Sequence, residues 1–202
     1  MSEEALSRAM AAFAVEAESL AATASVLDGA QLLAAAEALA KAPRIAASGC
    51  GHSGIACRHF AHLMCCIERP ARFLSPAEAV HGGLGFIQAG DVLLLASRGG
   101  KTDELLPIAD IARAKGVTLI AVTENLSSPL AEKSDIVLAM KVTRECDRYD
   151  SQGTTSFAVT CAIFDALQTA VIELTGFKNE QFAAIHPGGA VGKRLNANKQ
   201  AR

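Results

Sequence analysis

Five short apolar runs, each closed by a turn and most followed by a helix-forming stretch, constrain this chain more than any other feature. They lie at 43–48, 71–74, 92–96, 117–123 and 135–140. Alternating strands and helices predict βαβ units, and so an α/β fold with a parallel sheet covered on both faces. Right-handed crossovers place every loop that follows a strand on one edge of such a sheet, and ligands bind there. The loops at 48–54, 75–85, 97–104, 123–128 and 141–153 fall on that edge. Ser53, His81, Ser97, Glu104 and Glu145 are therefore expected to converge although they are far apart in sequence.

The run Val92-Leu93-Leu94-Leu95-Ala96 leads into Ser97-Arg98-Gly99-Gly100-Lys101-Thr102-Asp103-Glu104. A helix is expected from about 102 to 115, which makes this a strand, a turn and a helix N-terminus. Such a terminus has unpaired N–H groups and the positive end of the helix dipole, so it attracts anions. Ser97 and Thr102 add hydroxyls, Arg98 and Lys101 add charge, and Gly99 and Gly100 let a ligand approach the backbone. The pattern reads as a phosphate cradle. The alternative is an ordinary βα turn with Thr102 as its N-cap.

Other strings point to the same edge. Gly49-Cys50-Gly51-His52-Ser53-Gly54 is a G-x-G-x-x-G turn between the first strand and a helix over about 53–67. A dinucleotide site would want an acid at the end of the second strand, and Ser75-Pro76 stands there, with Glu78 slightly later. A phosphate-approach turn is the better reading. His81 precedes Gly82-Gly83-Leu84-Gly85 in what reads as a flexible loop, where a histidine is either functional or simply solvated. Gly153-Thr154-Thr155-Ser156 opens a helix over about 154–175, and its three hydroxyls suit a second anion site, the alternative being a plain N-cap. His186 stands before Pro187-Gly188-Gly189, a strong turn on which stability alone seldom calls for a histidine.

The 202 residues suit one large domain or two small ones, and a net charge of −2 without long like-charged runs argues against nucleic-acid or acidic-membrane binding. The six cysteines form no C-x-x-C pair, so a disulfide scaffold is not expected. No apolar run escapes a polar break for about 18 residues, so no membrane-spanning helix is expected. With an acidic Met-Ser-Glu-Glu start, the expected place is the cytoplasm. Residues 3–41 read as two helices broken near Asp28-Gly29, a hairpin whose apolar stripe packs on a partner subunit or on its own domain. Residues 196–202 are expected to fray.

Together these strings make the chain resemble the sugar isomerase (SIS) domain family, and within it the arabinose-5-phosphate isomerase group. The strings are 49–54, Ala77-Glu78-Ala79-Val80-His81-Gly82-Gly83-Leu84-Gly85, the 97–104 turn, and Ile185-His186-Pro187-Gly188-Gly189-Ala190-Val191-Gly192. The resemblance covers about residues 30–195. It implies one SIS domain over 1–202, a flavodoxin-like three-layer sandwich around a five-stranded parallel sheet, preceded by the helical hairpin. It implies aldose–ketose isomerisation of a sugar phosphate, D-arabinose 5-phosphate and D-ribulose 5-phosphate in that group. A homotetramer, a dimer of dimers with sites between subunits, is implied as well. The catalytic set carried over is His81, Glu104, Glu145 and His186, with His52 in place of the family's lysine. The phosphate set is Gly51, Ser53, the turn from Ser97 through Arg98, Gly99, Gly100 and Lys101 to Thr102, and Thr154, Thr155 and Ser156. His186 or Glu145 would take the carbon proton, His81 would assist ring opening or oxygen proton transfer, and Glu104 would position hydroxyls.

No cofactor is required by that chemistry, and a divalent metal such as zinc at the His/Glu cluster is expected to be adventitious or inhibitory. Longer members carry C-terminal regulatory modules of the cystathionine-β-synthase type, and such regulation is not expected of these 202 residues. Three departures stand out: His52, the basic turn Arg98-Gly99-Gly100-Lys101 where the family has a serine and an acid, and Gly83 where it has an acid after His-Gly. Rival readings are a ketohexose- or heptose-phosphate isomerase and a non-catalytic phosphosugar-binding regulator.

Overall fold

A computed structural model describes residues 2–196. Of the expected frayed tail, 197–202 lie outside those residues, while Asn196 ends a helix and donates from its amide to Ala183 and Gly192 carbonyls. The five expected strands are β1 (Ile45–Gly49), β2 (Ala71–Phe73), β3 (Val92–Ala96), β4 (Thr118–Thr123) and β5 (Ile136–Ala139). All neighbouring pairs are parallel, in the order β2-β1-β3-β4-β5. The chain therefore changes direction across the sheet between β1 and β3, where a crevice opens at the carboxyl ends of the strands.

The central strands are buried along nearly their whole length, and β3 is apolar throughout, because both faces are covered. Alternate side chains serve opposite layers. Ile45, Ala47, Val92, Leu94, Ile120 and Val122 face a core built with α2 (Gly29–Lys41), α3 (Gly51–Cys66) and α7 (Thr154–Thr175). Ala46, Leu93, Leu95, Leu119 and Ala121 face the other, built with α4 (Pro76–Ala79), α5 (Leu106–Ala114) and α6 (Pro129–Lys133). This is the expected three-layer sandwich.

The N-terminal residues form α1 (Glu3–Val26) and α2, separated where Asp28 caps α2 by accepting from the Ala30 and Gln31 amides. α2 is spent on its own domain, since Ala35, Ala36 and Leu39 are fully buried. α1 is tied down by Ser19 to Thr143 (3.0 Å) and Thr23 to the Lys141 carbonyl (2.9 Å), and leaves Met10 and Phe13 61% and 72% exposed. By length and composition alone α1 and α7 could each cross a membrane, which the search for unbroken apolar runs did not anticipate. The apolar face of α7, with Val159, Ile163, Phe164, Leu167 and Val171, is consumed by the core.

Three local expectations need correction. α5 starts at Leu106, not near Thr102, because Pro107 has no N–H and fits only the first helical turn. Residues 75–85 are not a flexible loop: α4 and a 3-10 turn at Gly83–Phe86 bury Ala79 and Leu84. The tail also folds further than expected, into α8 (Asn179–Ile185) and α9 (Gly189–Asn196) around the His186-Pro187-Gly188 corner.

The glycines of the 49–54 turn divide their work. Gly51 has φ +53, while a Cβ on Gly54 would lie 2.5 Å from the Gly49 carbonyl oxygen. Close helix–strand contact therefore excludes a side chain at Gly54. Gly54→Ala is expected to destabilise the protein by about 1–3 kcal/mol through overpacking. Gly29→Ala meets open space at the start of α2 and is expected to stabilise by roughly 0.4–1 kcal/mol. Denaturant unfolding of the two variants beside the parent checks both signs.

Candidate active site

The turn after β3 is drawn tight by hydroxyls. Ser97, almost buried, pairs its Oγ with Thr102 Oγ1 at 2.8 Å, and the Gly100 amide donates to Ser97 Oγ at 3.1 Å. Gly100 has φ +64, and a Cβ there would overlap Ser128 Oγ. The Leu130 amide closes the other side by donating to the Gly100 carbonyl at 3.2 Å. Among the described residues the amides of Arg98, Gly99, Lys101 and Thr102 donate to no protein acceptor. Successive free N–H groups in a turn form an anion-binding concavity. The turn itself thus has the form of a nest, and it lies four residues ahead of the helix whose start was expected to provide the free amides.

Arg98 does not point into this nest. Its Nε donates to Glu124 at 2.8 Å and its Nη1 to Glu145 at 2.9 Å. Glu145 is buried, and its second oxygen accepts the Ser156 amide at 3.2 Å and the Thr154 hydroxyl at 3.4 Å. Glu124 also receives Lys141 Nζ at 3.2 Å and the Val142 amide at 3.2 Å. Burial works against the charge on Glu124, but the bonds from Arg98, Val142 and Lys141 prevail and hold its pKa below the ordinary carboxylate value. The first turn of α7, one of the expected anion sites, is therefore already partly occupied by the protein's own Glu145.

His52 stands beside it, at the first turn of α3. Its Nδ1 is so close to Gly153 that a Cβ there would lie 2.9 Å away, and its ring meets Phe157 edge-on at 6.4 Å. Gly153, at φ +65, gives His52 its place next to the Thr154, Thr155 and Ser156 helix start. Gly51 and Glu104 line a cavity of about 400 Å³ at the ends of β1 and β2, together with Cys50, Arg58, Phe73 and Ser75. Glu104 is exposed and makes no ion pair among the described residues. The Cys50 thiol is pushed above its ordinary pKa by burial and by the charge of Glu104, so it is not poised as a thiolate. Ser53 is half-buried in the first turn of α3 and makes no side-chain hydrogen bond among the described residues.

One chain thus gathers His52, the 97–102 turn, Glu104, Glu145 and the start of α7. Among the described residues the other two histidines of the expected catalytic set, His81 and His186, make no side-chain hydrogen bond or ion pair with this group. His81 is exposed between α4 and the 3-10 turn. His186 caps α8 beside Phe182, 4.9 Å between ring centroids, and α8 is tied by Gln181 to Glu68 beyond the far end of α3. Its Nδ1 is buried without a hydrogen-bond partner among the described residues. Among those residues no three His, Cys, Asp or Glu side chains are placed to hold a metal ion.

Sequence reasoning missed Glu124 and Arg58. Glu124 directly follows β4, and a charged residue at the carboxyl end of a buried strand was the available signal. Arg58 lies seven positions beyond Gly51 on the same helix face, with its guanidinium 4.0 Å over the Phe73 ring.

The comparisons with known proteins follow this geometry. The SIS domain profile matches residues 38–170. Arabinose 5-phosphate isomerase KdsD of Pseudomonas aeruginosa is 38% identical over 157 residues, 78% of this chain and 48% of that protein. GutQ of Salmonella typhimurium, also an arabinose 5-phosphate isomerase, is 39% identical over 155 residues, 77% of this chain and 48% of that protein. The chain spans about half the length of these curated relatives. Among solved structures, a Listeria monocytogenes protein of suggested sugar-phosphate isomerase function superposes with TM-score 0.89 at 38% identity, covering 93% of this chain and all 100% of that one. Escherichia coli CFT073 c3406, solved in complex with A5P, superposes with TM-score 0.84 at 27% identity, covering 93% and 100%. The conclusion from sequence match and superposition together is that this chain belongs to the SIS domain family.

Proposed function

We propose that the protein is an aldose–ketose isomerase acting on a sugar phosphate, with D-arabinose 5-phosphate and D-ribulose 5-phosphate as the pair. The observation that carries this reading is the nest of free amides after β3, set beside an unpaired carboxylate, Glu104, and an accessible imidazole, His52. The likeness to arabinose 5-phosphate isomerases and to the A5P complex supports the choice of sugar.

The chemistry follows from the substrate. The phosphate lies on the free amides of Arg98, Gly99, Lys101 and Thr102, with the Ser97 and Thr102 hydroxyls and the Lys101 side chain beside it. The open-chain sugar then extends toward the cavity that Glu104 lines. A base removes a proton from C1 of the ketose, leaving a cis-enediolate, and returns a proton to C2 to give the aldose. Glu145 has its oxygens engaged by Arg98, Ser156 and Thr154, so the carboxylate free for this step is Glu104. His52 carries the proton between O1 and O2 and donates to the developing enediolate oxygen. Hydrogen moves only within the substrate, so no redox cofactor enters.

A second copy of the chain would supply His186, which in its own chain sits on the α8–α9 corner, and His81 with it. The apolar side chains exposed on α1, Met10 and Phe13 among them, are the surface for such an assembly, a homotetramer in this reading. The expected place of work is the cytoplasm.

Purified protein mixed with D-ribulose 5-phosphate is expected to yield D-arabinose 5-phosphate, resolved by chromatography. If no member of a broad panel of pentose, hexose and heptose phosphates is isomerised, the enzymatic reading fails. Glu104→Gln is expected to lower kcat by about 10²–10⁴-fold with little change in KM. Full retention of kcat would remove Glu104 from the role of base.

A further inference from the structure

We infer that Arg98, one of the two cations of the turn after β3, is a positioning residue for Glu145 and not a ligand of the phosphate. The inference rests on the sugar-phosphate reading of the site and goes beyond it.

Charge alone assigns both turn cations to the phosphate, but the geometry separates them. The Arg98 guanidinium is a fork with one nitrogen on each of two carboxylates, Glu124 at 2.8 Å and Glu145 at 2.9 Å. The backbone of the same residue is held as well. Its carbonyl accepts the Thr123 hydroxyl at 3.0 Å and the Glu124 amide at 2.9 Å. Both ends of Arg98 are therefore anchored to the end of β4.

Beyond Glu145 the chain of contacts continues. The carboxylate oxygen that Arg98 leaves free receives the Ser156 amide and the Thr154 hydroxyl, the first turn of α7. Among the described residues Arg98 is thus the one side chain that links the turn after β3, the end of β4 and, through Glu145, the helix start next to His52. The cluster is electrically closed: Arg98 and Lys141 balance Glu124 and Glu145. No surplus positive charge from Arg98 remains to face a dianion. Lys101 differs on every count. It is exposed, has no carboxylate partner among the described residues, and lies two residues from Gly99 in the nest.

A lysine at 98 would keep the charge but lose the fork, since an ammonium cannot hold two separate carboxylates in fixed directions. The two functions can therefore be separated. A ligand of the phosphate governs affinity for any phosphate, whereas a positioning residue governs turnover once substrate is bound.

The test compares Arg98→Lys and Lys101→Met with the parent. Inorganic phosphate is titrated calorimetrically, D-ribulose 5-phosphate turnover is measured, and the Ser156 amide resonance is followed by NMR. Arg98→Lys is expected to change phosphate affinity by less than about 2-fold while kcat falls about 10-fold or more and the Ser156 amide shifts. Lys101→Met is expected to weaken phosphate by about 10-fold and to raise KM for D-ribulose 5-phosphate by a similar factor. Arg98→Lys that weakens phosphate as much as Lys101→Met, or that leaves kcat and the Ser156 resonance unmoved, overturns the proposal. If the parent binds phosphate but turns over no sugar phosphate, the isomerase reading fails alone. The phosphate titrations and the Ser156 resonance then still decide the role of Arg98. A parent that binds no phosphate overturns the reading of the turn and this proposal with it.

Discussion

The contact between Gly100 and the hydroxyls of Ser128 and Thr123 sets the shape on which the rest of the site depends. No side chain fits there, so the turn after β3 lies flat against the loop after β4. Ser97 and Thr102 then lock together, and among the described residues the Arg98, Gly99 and Lys101 amides between them have no protein acceptor. In this arrangement the backbone supplies most of the anion site. Neutral N–H groups bind without the desolvation cost of a buried cation, and they are held in place before any ligand arrives. The switch between β1 and β3 puts that nest next to the Gly49–Gly54 contact, where α3 begins and His52 is presented.

Much of the architecture was legible because strand burial leaves a direct trace. A run such as Val92-Leu93-Leu94-Leu95-Ala96 has no polar face, and only a sheet covered on both sides accommodates it. The chemical strings fell on the carboxyl edge for the same reason, and topology brought His52, Glu104 and Glu145 together. The start of α5 was also written in the sequence, at Pro107, but the attraction of Thr102 as a cap obscured it.

Side-chain direction was the part that sequence could not convey. Arg98 sits in the turn yet its guanidinium turns away to Glu124 and Glu145, and nothing in the string Ser-Arg-Gly-Gly-Lys-Thr records that partner choice. His81 and His186 belong to specific motifs but stand on other parts of their own chain. Their strings also have local duties: a Cβ on Gly192 would overlap the His186 carbonyl oxygen, so His-Pro-Gly-Gly-Ala-Val-Gly builds the α8–α9 corner. A motif that shapes a corner and presents a histidine to another copy has the same sequence as one that does only the first. The basic character of the turn is likewise smaller than it looks, because Arg98 is neutralised internally and Lys101 alone adds charge beside the nest.

In the proposed function, phosphate is held by the backbone amides of the turn after β3. Backbone NMR of the protein titrated with D-ribulose 5-phosphate tests it most directly. The account predicts that the Gly99, Lys101 and Thr102 amide protons move downfield in a saturable way, while amides of β5 and the second half of α7 stay where they are. Saturable shifts confined to some other surface, with those three amides unmoved, would contradict it.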